Sequence, residues 1–72
     1  MKVIIEEAES GFYGFAEDDN IKDALATYGR TVEELKEDFK EVLEIVIQSK
    51  EKNGDLKAAE YYRNAVPEFV IK

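Results

Sequence analysis

Glu17, Asp18 and Asp19 form an unbroken run of acids, the side chains here best suited by type to chemistry. Carboxylates hold divalent metals or exchange protons, but such centres need acids that converge from separate elements. Acids that follow one another along a polar loop diverge and stay solvated, so the run suits contact with a basic protein better than catalysis. No catalytic residue, metal ligand or cofactor site is assigned. The chain has no histidine and no cysteine, which excludes imidazole catalysis, thiolate metal sites and disulfides. Thr31 has no base to activate it as a nucleophile and reads as a helix cap. Gly11, Gly14, Gly29 and Gly54 lack the spacing of a phosphate-binding loop. Tyr61-Tyr62-Arg63 could stack on bases, but the acidic surroundings favour a tyrosine pair that docks a short helix onto a sheet. Tyr13 and Phe15 are either core or the aromatic anchors of a partner surface.

The chain has 72 residues and a net charge of −7. That length is one domain with a small core. The negative charge is repelled by phosphate backbones and anionic membranes, so direct binding of nucleic acid or membrane by residues 1–72 is not expected. A basic protein is the natural complement, although moderate acidity also serves solubility alone. The apolar run in MKVIIEEA is too short for a signal sequence, and no stretch is long and apolar enough to span a bilayer. With the lack of cysteine, this reads as a cytoplasmic protein.

The elements that must position these residues are organised around one helix, from Thr31 to about Lys52. Val32, Leu35, Phe39, Val42, Leu43, Val46 and Ile47 recur at steps of three and four and make one apolar face. Thr31 with Glu34 has the form of a capping box, and Asn53-Gly54 supplies the left-handed stop. Ahead of the helix, Lys2 to Ala8 reads as a strand whose run Val3-Ile4-Ile5 wants cover on both faces, as in a central strand. Phe12 to Ala16 pairs with it as a hairpin, with Gly14 and Ala16 beneath the helix and Tyr13 and Phe15 on the opposite face. Ala24 to Tyr28 is a modest edge strand. After Gly54, Asp55 caps a short helix to about Arg63, Pro67 ends it, and Glu68 to Lys72 is the last strand.

The fold class is therefore α+β: a small β-β-β-α-β domain, sheet order 3-2-1-4, with one long helix on one face and a short helix near 55–63. A right-handed crossover makes the last strand parallel to the first. The sheet face carrying Tyr13 and Phe15 is left for a second copy, a partner, the short helix or further chain to cover. The strand ending at Lys72 is expected of a piece cut from a longer protein.

The segment GFYGFAED, a short loop and then YGRTVEELKEDFKEVLEIVI resembles the N-terminal domain of HicB-like antitoxins, over residues 2 to about 48. Phe12, Tyr13, Gly14 and Phe15 match its aromatic second strand. Gly29-Arg30-Thr31 with Glu33 and Glu34 matches its Gly-x-Thr and acidic first turn. The family's Pro-Asp-Leu-Pro-Gly-Cys type loop reads Glu17-Asp18-Asp19-Asn20-Ile21-Lys22 here, with only Asp18 retained, which resembles a divergent branch followed by a helix-turn-helix module. The resemblance implies a partial ribonuclease H-like fold without nuclease activity, which forms homodimers or higher homo-oligomers. Such a domain neutralises a small basic HicA-like mRNA interferase. Tyr13, Phe15, Glu17, Asp18 and Asp19 are the expected partner contacts. The alternative is a dimerisation or effector-sensing domain of a transcription regulator without a toxin. A ribonuclease H-like enzyme is the weakest reading, for want of convergent acids.

Overall fold

The run Val3-Ile4-Ile5 is buried because its strand has neighbours on both sides in a sheet: Val3 and Ile5 face a covering helix, and Ile4 lies between Phe15 and Val70 on the other face. This is seen in a computed structural model, which describes residues 1–17 and 25–72. Strand β1 (Lys2–Ala8) is flanked by β2 (Gly11–Glu17) and β4 (Glu68–Ile71), and β3 (Ala26–Gly29) lies beyond β2. The sheet has four strands in the order β3-β2-β1-β4. The β1–β2 and β2–β3 pairs are antiparallel and the β1–β4 pair is parallel. The expected α+β architecture and strand order are those observed.

Helix α1 (Val32–Lys52) covers one sheet face. Its N-terminus is held by Thr31 Oγ1, which accepts from the Glu34 N–H at 3.1 Å. The Glu34 carboxylate reaches back one residue further than a capping box requires and accepts from the Arg30 N–H at 3.0 Å. At the other end the N–H of Gly54 donates to the Glu51 carbonyl and that of Asp55 to Lys50, the paired bonds of a Schellman stop. Gly54 takes a φ of +80° there, a conformation that disfavours side chains with a Cβ. Leu35 and Phe39 are fully buried against the sheet, each contributing roughly 1.5–3 kcal/mol by transfer from water. The Phe39 ring meets Phe69 of β4 edge-on, with centroids 5.8 Å apart. The Lys36 ammonium lies 5.4 Å from the Phe69 ring centre.

Helix α2 (Leu56–Asn64) is capped by Asp55 Oδ1, which accepts from the Ala58 N–H at 3.2 Å. Of the tyrosine pair expected to dock this helix on the sheet, only Tyr62 is buried, in a core it shares with Val3 of β1. The short connection folds α2 back along α1 as a helix hairpin. Ala59 and Tyr62 enter the core shared with Phe39 and Ile47, while Tyr61 stays largely at the surface with its ring edge-on to Tyr62.

Close approach of helix and sheet occurs at Gly29, not at Gly14. A Cβ on Gly29 would lie 2.3 Å from the Leu35 nitrogen, whereas one on Gly14 would first meet the Thr27 methyl at 3.1 Å. Gly14 and Ala16 do share the α1-covered face with Ile5 and Val3, their partners across β1. Strand β3 also runs to Gly29, one residue past the expected end, and begins at Ala26, since this glycine serves the strand as well as the turn. Ala24 lies outside the described residues.

Candidate protein-interaction face

Register across the sheet sorts the face opposite α1 into rows. Phe15 pairs with Ile4 and Ala26, and Ile4 pairs with Val70, so Ala26, Phe15, Ile4 and Val70 form one row spanning all strands. On one side of it, Tyr28 and Tyr13 stand opposite each other and Tyr13 stands opposite Glu6. The Lys72 ammonium extends that row, 3.4 Å from a Glu6 carboxylate oxygen. On the other side, Lys2 stands between Glu17 and Glu68. The face is thus an apolar bar bordered by hydroxyl and charged groups. Ile4 is buried within it, while Tyr13 and Tyr28 are 42% and 49% exposed. No described helix packs on this side: α2 lies against α1.

The hydroxyl row is ordered by its own hydrogen bonds. Tyr13 Oη donates to Glu6 Oε2, and Tyr28 Oη donates to the Ser10 carbonyl at 3.0 Å. The hydroxyl of Tyr13, with help from Lys72, stabilises the Glu6 carboxylate and holds it below its ordinary value. The same bond and the Glu6 charge push Tyr13 above the ordinary tyrosine value. Both shifts move away from neutral pH, where tyrosine is neutral and glutamate ionised.

The sheet has two edges of unlike character. On β3, alternation points the N–H groups of Ala26, Tyr28 and, just past the strand, Arg30 away from β2. Helix carboxylates take the last two: Asp38 Oδ2 accepts from Tyr28 N at 3.1 Å, and Glu34 accepts from Arg30 N at 3.0 Å. Asp38 Oδ2 also lies 2.7 Å from the buried Thr27 hydroxyl. A shallow acidic groove lined by Arg30, Glu33, Glu37 and Glu41 runs beside this closed edge. Along β4 the N–H groups of Glu68 and of Lys72, just past the strand, donate to the carbonyls of Met1 and of Ile5 in β1, at 2.7 and 2.8 Å. Phe69 and Ile71 therefore point their N–H groups outward, and among the described residues no acceptor takes them.

Of the expected contact residues, Tyr13 and Phe15 meet on the open face and Glu17 stands exposed at its corner. Asp18 and Asp19 lie outside the described residues. Tyr28, Glu6 and Val70 join the face without having been singled out. Period-two alternation carried forward from Tyr13 through the hairpin and β3 is the signal that finds them. Among the described residues no group of three acids is placed to hold a metal ion, and no helix is long and apolar enough to cross a membrane. The fold defines a small α+β domain in which no described helix covers the sheet face that carries Tyr13 and Phe15. No protein-family model, curated protein or solved structure matches the chain.

Proposed function

We propose that this domain is a non-catalytic protein-interaction module of the HicB-like antitoxin kind, which binds and neutralises a small basic toxin through its open sheet face. The observation that carries this reading is the apolar bar of Phe15, Ile4 and Val70, framed by tyrosines and alternating charges. An apolar centre with a polar rim and exposed tyrosines is how stable protein interfaces are composed. The net charge of −7 supports a basic partner, since opposite charge speeds encounter and disfavours acidic competitors. In this reading the toxin is an mRNA interferase of the HicA kind, the setting is the cytoplasm, and any operator binding belongs to a module outside residues 1–72.

The test is co-expression with the product of the adjacent small basic reading frame, with growth arrest and co-purification as readouts. The domain is expected to form a stable complex and relieve arrest. Tyr13→Ala, at an exposed position, is expected to weaken the complex by about ten- to a hundredfold, the range of an aromatic anchor. Binding that is absent, or unchanged by both Tyr13→Ala and Phe15→Asp, overturns the proposal. A second reading, a self-association or effector-sensing domain of a transcription regulator without a toxin, is favoured by the unprotected β4 edge. It predicts self-association and no growth-arrest phenotype to relieve.

A further inference from the structure

The structure treats its two sheet edges differently, and the difference identifies a second interaction surface. An edge strand presents unpaired N–H and C=O groups that recruit other strands unless something blocks them. On the β3 side, the outward N–H groups of Tyr28 and Arg30 are taken by the Asp38 and Glu34 carboxylates of α1. Among the described residues the β4 edge has no such cover: Phe69 and Ile71 face outward, and the Ile71 side chain is 64% exposed.

We propose that β4 pairs with β4 of a second copy of this chain, antiparallel and about a two-fold axis at Val70, to form one continuous sheet. A second copy fits because the strand is complementary to itself in this register. Val70 stands opposite Val70, Phe69 opposite Ile71, and Glu68 opposite Lys72. Phe69 and Ile71 are the outward-pointing residues, so they fall at hydrogen-bonded positions, where an antiparallel pair exchanges both backbone bonds. Glu68 and Lys72 fall at non-hydrogen-bonded positions, where side chains approach more closely.

Charge and apolar patterns both continue across the axis. Lys72, already 3.4 Å from Glu6, would gain an acid on its other side. Glu68, already beside Lys2 in the parallel register, would gain a base. The apolar row Ala26, Phe15, Ile4, Val70 would run on through the same row of the second copy. The exposed Ile71 would pack against the partner copy's phenylalanine on the α1 side. Association of this kind leaves the open face uncovered and doubles its width, and it does not depend on the antitoxin reading.

Sedimentation equilibrium of the chain alone, over a wide concentration range, tests the proposal without any toxin present. The expected species is a dimer that dissociates on dilution. Glu68→Lys and Lys72→Glu each place like charges opposite one another at both symmetry-related positions, and each is expected to weaken the dimer about tenfold. The double variant restores opposite charges and is expected to recover most of that loss. Ile71→Pro removes an outward N–H that the monomer does not use, as edge strands tolerate, and is expected to stay monomeric with an unchanged circular dichroism spectrum. Melting of each variant at monomeric dilution reads the separate loss of the Lys72–Glu6 pair. A wild-type chain that is monomeric throughout overturns the proposal. So does a dimer indifferent to Ile71→Pro, or a double swap no better than the single ones.

Discussion

Tyr13 and Glu6 stand opposite each other on neighbouring strands, and each sets the other's protonation. The folded Glu6 value lies below the ordinary 4.5 of a glutamate. Its stabilising contribution is therefore present above that value and lost as pH falls through the depressed one. The folded Tyr13 value lies above the ordinary 10.0, so its contribution is present below that value and lost as pH rises through the raised one. The pair supports the fold across the whole neutral range, and both partners are exposed enough that solvent screening keeps its weight small. Tyr13→Phe removes the hydroxyl and keeps the ring. A carboxyl-carbon NMR titration is expected to show the Glu6 inflection moving up toward the ordinary glutamate range in this variant. An unmoved inflection would assign the depression to Lys72. The placement of Tyr13 and Phe15 on one strand face was legible from alternation alone. The bond to Glu6 was not, because it depends on the β1–β2 register, which no single residue encodes.

Among the elements, β3 and the start of α1 are joined with the least tolerance. Gly29 leaves room for the Leu35 backbone to pass directly over the strand, and Asp38 and Glu34 then reach the N–H groups of Tyr28 and Arg30. Gly29→Ala would drive a methyl group into helix backbone, which cannot rotate aside as a side chain can. The expected loss is about 2–3 kcal/mol in a urea melt, at the upper part of the range for overpacking. Gly54→Ala makes a control with space and no strain relief: nothing lies within 4 Å of its added carbon, but its φ is +80°. That variant is expected to lose about 1–2 kcal/mol, the cost of a left-handed conformation for a residue with a Cβ. Equal losses at the two sites would sink the packing account of Gly29. Helix α1 was legible because seven apolar residues repeat at helical spacing and both ends carry caps. The end of β3 was not, because Gly29-Arg30 has the composition of a turn and only the passing helix shows why the strand must reach the glycine. The docking of α2 on α1 was hidden for a like reason: Ala59 and Tyr62 mark an apolar face, but a face does not name what it packs against.

At the scale of the molecule, the strand order followed from two consecutive apolar runs and the handedness of a crossover. The open sheet face followed from having one long helix to cover a sheet with two sides. What sequence reasoning could not supply was the unequal protection of the two edges, since Asp38 looks like an ordinary surface acid, and Glu34 like a helix cap alone, until the helix direction over β3 is known. The parallel pairing of β1 with β4 has a mechanical consequence. Lys2 is paired with Glu68 and Ile5 with Ile71, so residue 1 lies at the start of the pair and residue 72 at its far end. Tension applied between these residues slides β1 and the edge strand β4 along each other and loads their ladder of backbone bonds all at once, where an antiparallel arrangement of the same ends would open like a zipper. A domain held at these two points should resist stretching more than its size suggests, and should fail in a single abrupt step when pulled in a force spectrometer.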